Sequence, residues 1–364
     1  DSYIFDEPSI GLHGDENKRM IHHLKELVRK GNSVIVVEHD LATIRQADWI
    51  VDVGPQAGIN GGQVLFNGTI EEFTKSKHLN ETSATYRALH DTNASRGKQV
   101  STTDGGSIDL IGCTTNNLKN IDVSFQLGKL NVVSGRSGSG KTSLVKGTLM
   151  KLVETQTAIN KLIYVDQSPI GKTPRSNPAT YLGISDHIRD VFAKLPLSKE
   201  RSYTKSRFSF NNKGGRCENC QGAGKTQIGM HFLGNVDLLC GVCDGKRFNA
   251  PTLEVLYKDK SIADVYEMSI NQAVSFFEDQ PKILRGIETL QSIGLGYLTL
   301  GQSSTTLSGG EAQRIKLANQ LQKKDTGSTL YVVTEPSTGL HHQDISTLLN
   351  LFQQLTEKGN TVVC

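Results

Sequence analysis

An α/β fold in which one strand–helix–strand unit occurs twice is predicted by three features of the sequence. The first is an internal repeat. DEPSIGLH at Asp6 to His13 returns as TEPSTGLH from Thr334, and GNSVIVV from Gly31 returns as GNTVVC from Gly359, each 328 residues further on. The second is a glycine-rich stretch, SGRSGSGKTSLVKG, set between an apolar run and a helix-like one. The third is a pair of C-x-x-C motifs separated by 19 residues.

Composition sets the frame for these elements. With 364 residues, 36% hydrophobic and 21% charged, the chain can bury one large core or two and shows no overall bias to disorder. No apolar run approaches the roughly 20 residues of a membrane helix, and no signal peptide opens the chain, so a cytoplasmic protein with no membrane partner is expected. A formal net charge of +3 is too mild to imply nucleic acid by itself, so any basic surface must be local.

The repeat carries a helix as well as two strands. Met20, Ile21, Leu24 and Leu27 fall on Leu348, Leu349, Phe352 and Leu355 at the same offset, a helical spacing of apolar residues kept in both copies. The first copy begins at its acidic strand and runs on through VVEHDLATIRQADWIVDVGP. The second ends at Cys364, three residues short of the counterpart of His39. The expectation is a window on a longer tandem protein. Residues 78–106 turn polar, rich in Ser, Thr, Asp and Gly, and read as a linker between a first domain at 1–77 and a second at 107–364.

Past the linker, IDVSF at Ile121 to Phe125 alternates like a strand, and a second strand is predicted at Leu130 to Val133. Gly135, four residues, Gly140, Lys141 and Thr142 then fit G-x-x-x-x-G-K-[ST] ahead of an apolar-periodic helix. Small residues at Ser137, Gly138 and Ser139 let backbone N–H groups close on phosphate oxygens, and the helix N-terminus that includes Ser143 adds partial positive charge. Lys141 would reach the β and γ phosphates of ATP and Thr142 would ligate Mg2+.

Downstream, TTLSGGEAQRIKLANQL puts Ser308, Gly309 and Gly310 at another helix start, where N–H groups can face an anion. A phosphate loop, then this segment, then the acidic strand is an order that resembles ABC-type ATPases. In that family the LSGG segment of one nucleotide domain closes on ATP held by another. The resemblance implies a magnesium- and water-sensing role for Gln167 and a switch-histidine role for His39. It makes Asp6 a magnesium-side carboxylate and Glu7 and Glu335 the groups that position water. Thr334 replaces the aspartate in the second copy. A neutral hydroxyl does not supply the charge that helps hold Mg2+, so metal affinity and rate should fall without being abolished. No LSGG segment within the chain closes its one nucleotide pocket, so pairing of two chains would have to supply it.

Cys217, Cys220, Cys240 and Cys243 have the spacing of two knuckles that complete a tetrahedron for Zn2+, with a redox or disulfide pairing as the alternative. The module is placed at 214–249, within an insertion at about 170–295. Around it Arg201, Lys205, Arg207, Lys213, Arg216, Lys225, Lys246 and Arg247 outnumber four acidic residues, for a local net charge of +4. Phe208, Phe210 and Phe248 are interleaved, which suits phosphate contacts supplemented by aromatic packing on DNA. A solvated basic face over core aromatics is the competing reading. Lys172 and Arg175 extend the same candidate surface.

Taken with NNLKNIDV, DQSPIGKTPRSNPATY, RFSFNNKGGRCENC, GLGYLTLGQSSTTLSGGEAQR and EPSTGLH, almost the whole chain resembles the UvrA family of tandem ABC ATPases. That resemblance implies recognition of damaged DNA in nucleotide excision repair, ATP-controlled dimerisation and handover to UvrB. The span from Lys141 to Gln167 is shorter than the repair protein leads one to expect and in that resembles the UvrA-like paralogs, some linked to drug resistance, which are the alternative within the family. A non-catalytic zinc-dependent DNA-binding module with a degenerate ATPase is the alternative from another class.

Overall fold

A computed structural model describes residues 1–56, 58, 61–91, 106–153, 159–230, 234–323, 327–337 and 342–364. The chain divides into two compact units, Asp1–Gln167 with Asp325–Cys364, and Ser168–Lys324.

In the first unit the repeat becomes structure. Strands β1 (Ser2–Asp6) and β2 (Ser33–Val37) pair in parallel around the helix Gly14–Arg29. An antiparallel pair follows, β3 (Trp49–Gly54) and β4 (Gln63–Thr69), then another, β5 (Ser107–Cys113) and β6 (Ile121–Gln126). Next come β7 (Leu130–Asn131), β8 (Lys161–Val165) and, in the second unit, the hairpin β9 (Lys225–Met230) and β10 (Gly234–Leu239). Back in the first unit, β11 (Thr329–Val333) and β12 (Thr361–Val363) flank the helix His342–Glu357. That helix lies 328 residues after Gly14–Arg29 at both ends.

The two strands of the second copy join β7 and β8 in a parallel sheet of order β7-β12-β11-β8. Every residue of β11 is buried, as a strand covered on both faces requires. Leu330, Val332 and Val363 pack with Leu144, Leu149 and Val153 of the segment after the glycine-rich loop. On the following helix Leu348, Phe352 and Leu355 are buried but Leu349 is half exposed, and Leu351 turns inward instead. In the first copy the same strand chemistry is open. Ile4, Ile35 and Val37 are 73%, 56% and 55% exposed, because β1 and β2 pair only with each other among the described residues.

Part of the predicted linker is folded. Lys77–Asn80 forms a 3-10 turn and Ala84–His90 a helix, and Leu79 and Tyr86 are buried with Ile50 and Phe73. Ser83 caps that helix through a 2.9 Å bond from the Tyr86 N–H, and its hydroxyl donates at 2.6 Å to the buried Asp52 carboxylate. Two buried apolar side chains outweigh a polar local composition. The rest of the predicted linker, 92–105, lies outside the described residues.

The second unit is helical, built on Ile184–Ala193, Ile262–Glu267, Ile270–Phe276, Pro281–Ser292 and Gly309–Leu321. Its core holds Ile188, Phe192, Phe208, Phe248, Phe277, Ile287 and Ile315, each almost fully buried and each contributing about 1.5–3 kcal/mol of apolar burial. Among the described residues, no helix is long and apolar enough to cross a membrane.

Candidate functional site

Parallel pairing aims the ends of β7, β8 and β11 at one edge of the sheet, and three predicted groups lie just beyond those ends. Beyond β7 is the glycine-rich loop. Gly135, Gly138 and Gly140 have φ of 151, 75 and 108°, which side-chain-bearing residues rarely adopt. A Cβ on Gly135 would stand 2.7 Å from Ser139 Oγ, so the loop closes as tightly as it does only with glycine there. Arg136, Ser137, Gly138 and Ser139 are exposed, and Lys141 Nζ donates to the Gly135 and Arg136 carbonyls at 2.6 and 2.8 Å. The helix that starts at Lys141 with Thr142 and Ser143 has a π-turn at Val145–Leu149 before it resumes at Met150. Thr142 is exposed beside the loop.

Beyond β8, Gln167 Nε2 donates to the Glu335 carbonyl at 2.9 Å, so these two predicted residues meet. Beyond β11, Thr334 is half-buried. Its N–H donates to the Val165 carbonyl at 3.1 Å, and its hydroxyl points to the same oxygen at 3.5 Å. Glu335 takes φ of 46°, and its repeat counterpart Glu7 takes 44°. A glutamate in the left-handed region is uncommon, and both copies impose it at the same strand end. In the first copy Asp6 is exposed at the end of β1, and Glu7 Oε1 lies 3.7 Å from His39 Nδ1.

Four contacts in this unit carry no local sequence signal. Asn117 Nδ2 donates to the Gly138 carbonyl at 3.0 Å, and Asn116 Nδ2 to Ser143 Oγ at 3.0 Å, bracing the loop from a turn more than 20 residues upstream. Arg136 Nη2 pairs with Asp15 at 2.7 Å, and that guanidinium holds the Asp15 carboxyl below its usual range. Ser9 donates to Glu38, whose own carboxyl is raised by burial.

The second unit holds the other predicted groups. Ser308 caps the helix Gly309–Leu321, its Oγ accepting from the Glu311 N–H at 3.2 Å while Glu311 accepts from the Ser308 N–H at 2.8 Å. Gly309 and Gly310 form the first turn, and Glu311 is fixed further by the Tyr297 hydroxyl at 2.6 Å.

All four cysteines of the two pairs are buried, unbridged and within 4.8 Å of one another. The Sγ separations are 3.9 Å for Cys217–Cys240 and 3.7 Å for Cys220–Cys243. A disulfide needs about 2.05 Å. A tetrahedron of sulfurs about 2.3 Å from a central ion has edges of about 3.8 Å, so the donor set fits Zn2+. N–H groups surround it: Asn219 Nδ2 donates to Cys240 Sγ at 3.2 Å and the Gly224 N–H to Cys220 Sγ at 3.3 Å. The Asn219 amide lowers Cys240 to about 6, whereas burial pushes Cys243 up to about 12 and raises Cys220. Burial thus opposes ionising Cys220 and Cys243, and a divalent cation would supply the missing stabilisation. The ends of the module meet where the Asn249 N–H donates to the Gly215 carbonyl at 3.0 Å.

The three predicted aromatics are buried, four of the predicted cations are engaged within the fold, and the others stay at the surface. Phe208, Phe210 and Phe248 are at most 2% exposed, so these rings pack the core and have no face for a base. Arg207 stacks on Tyr203 at 4.3 Å and donates to Thr252 at 2.8 Å, and Arg175 donates to the Gln221 carbonyl at 3.0 Å. Arg216 is clasped by Glu218 at 3.1 Å. Arg247 reaches the Gly301 carbonyl at 3.1 Å. Arg201 pairs with Glu254 at 2.6 Å and Lys205 with Asp190 at 3.1 Å, at the surface. Lys172, Lys213 and Lys246 are exposed, with no carboxylate in ion-pair range among the described residues.

No family model matches the chain. It is 50% identical to the UvrABC system protein A of Staphylococcus epidermidis and 49% identical to that of Staphylococcus aureus, over 99% of its own length. The chain spans about 40% of the length of each of these relatives. Their alignments run to 384 positions against 364 residues, so each relative has at least 20 residues that this chain lacks. The crystal structure of UvrA2 from Deinococcus radiodurans superposes on all of the chain with a TM-score of 0.93 and 46% identity, using 45% of that protein.

Proposed function

Because this chain is a UvrA homologue along 99% of its length, with the α/β fold of an ABC ATPase, we propose that it is the ATP-binding and zinc-holding part of a subunit that recognises damaged DNA in nucleotide excision repair. The carrying observation is that the phosphate loop, the LSGG helix and four converging thiols are all present in one chain half identical to UvrA. Gly135 to Thr142 bind the triphosphate, Lys141 neutralises it, and Thr142 holds its Mg2+. ATP and Mg2+ supply the hydrolytic chemistry; Gln167 and Glu335 position water. Turnover is slow because Thr334 brings no charge to the metal. His39, Glu7 and Asp6 serve the equivalent site of the first copy.

Cys217, Cys220, Cys240 and Cys243 hold Zn2+, kept reduced in the cytoplasm. Lys172, Lys213 and Lys246 give phosphate contacts to a DNA duplex, with Arg201 and Lys205 at the rim. Self-association brings Ser308, Gly309 and Gly310 of one copy to the nucleotide of another, and UvrB is the partner that receives the DNA.

The experiment is ATP binding and hydrolysis by the full chain with undamaged and lesion-bearing duplexes, alongside a Lys172/Lys213/Lys246→Ala triple variant. ATP binding, and DNA binding weakened in the variant with a shallower salt dependence, is the expected result. A chain that binds neither ATP nor DNA sinks the reading. The shorter sequence and the fit to UvrA2 favour a second reading, a UvrA-like paralog acting in resistance to DNA-damaging drugs. Absence of UvrB binding alongside retained DNA binding would favour it.

A further inference from the structure

Arg247 sits where a basic surface residue was expected, yet its side chain runs inward. Its backbone takes φ of 69°, and its carbonyl accepts from the Cys217 N–H at 2.8 Å. The stem crosses Gly224, the residue whose N–H donates to Cys220. A Cβ on Gly224 would stand 3.1 Å from Arg247 Cγ. The guanidinium then lies 5.4 Å from the Phe210 ring centre, Nη2 donates to the Gly301 carbonyl, and Nη1 is buried with no hydrogen-bond partner.

A buried guanidinium is costly unless a negative charge answers it. Among the described residues no carboxylate lies within ion-pair range of Arg247; the Tyr266 hydroxyl, the Cys220 and Cys243 sulfurs and, beyond ion-pair range, the Glu267 carboxylate act on it electrostatically. Zn2+ with four thiolates carries a net charge of about −2 and needs a cation of its own. Gly301, in turn, is anchored by its N–H to the Tyr266 carbonyl at 2.7 Å and stands seven residues before Ser308.

We infer that Arg247 is the built-in counter-cation of the four-cysteine zinc centre, and that through Gly301 it ties the loaded centre to the segment leading into the Ser308–Gly310 helix start. The inference rests on the zinc reading above. With the metal bound, the tetrathiolate charge seats the guanidinium against Gly301. Without it, that seat is weakened and the 301–308 segment loosens.

The test is zinc affinity by chelator competition on the full chain, with hydrogen exchange of residues 301–308 followed with and without zinc. Arg247→Met should bind zinc about 10- to 100-fold more weakly, as removal of an outer-shell partner does. Arg247→Lys, which keeps the charge, should recover part of that loss. Should Arg247→Met not fold, Arg247→Gln takes its place, keeping a donor but no charge. In the wild type, zinc should slow exchange across 301–308, and in the neutral variant it should not. A wild type that binds zinc while the neutral variant binds within twofold of it overturns this role alone, as does exchange at 301–308 that ignores zinc. A wild type holding no zinc overturns the metal reading and this role with it.

Discussion

Replacing Gly140 by alanine is the sharpest test of the phosphate loop. Gly140 has φ of 108°, and a Cβ there would stand 3.0 Å from Leu118 Cδ2 and 3.1 Å from Asn117 Oδ1. Alanine in that conformation costs about 1–3 kcal/mol. The new methyl also pushes on the amide that holds the Gly138 carbonyl, a hydrogen bond worth about 0.5–1.5 kcal/mol net. An empty, exposed loop can relax around the methyl, so the cost is felt mainly when the amides must converge on phosphate. Together about 2–4 kcal/mol corresponds to an ATP affinity lower by about 30- to 1000-fold. Gly138→Ala supplies the contrast. Its φ is 75° and nothing lies within 4 Å of the added carbon, so it bears only the conformational term. At about 1–2 kcal/mol that is about 5- to 30-fold. Titration of a fluorescent ATP analogue into both variants decides the matter. Affinities within threefold of wild type, or Gly138→Ala as damaging as Gly140→Ala, would refute the reasoning.

Three further outcomes follow from the same geometry. Ser83→Ala removes both a helix cap and the partner of the buried Asp52, and should destabilise the first unit by about 2–4 kcal/mol in urea unfolding, with little effect on zinc content. Thr334→Asp restores a carboxylate beside Glu335 and should raise the magnesium-dependent affinity for ATP roughly tenfold or more, read by titrating Mg2+ at fixed nucleotide. Zinc release should increase as pH falls: protons compete with the metal for thiolates, and with Cys243 pushed up to about 12 in the metal-free chain, only the bound ion keeps it ionised. A metal-indicator assay from pH 8 to 5 that shows flat retention would contradict this.

How much could be read in advance depends on whether a signal is local. The 328-residue repeat, the loop Gly135 to Thr142 and the two cysteine pairs are patterns of spacing along the chain. Backbone geometry turns such spacing directly into a strand end, a phosphate-sized turn or a tetrahedron. The helices Gly14–Arg29 and His342–Glu357 keep the register to the residue for the same reason. Burial has no such local signature. Whether Phe208 stacks on a base or fills a core, and whether Arg207 and Arg247 face solvent or brace neighbours, depends on chain tens of residues away. Residues 78–90 looked like linker because polar composition hides Leu79 and Tyr86, which matter only once Phe73 and Ile50 are beside them. The sequence by itself determined which chemical groups are brought together and in what order. Tertiary structure alone decided which of the cations remain free to meet a polyanion, because a charge can serve a partner only after the fold's own unpaired oxygens and sulfurs have been answered.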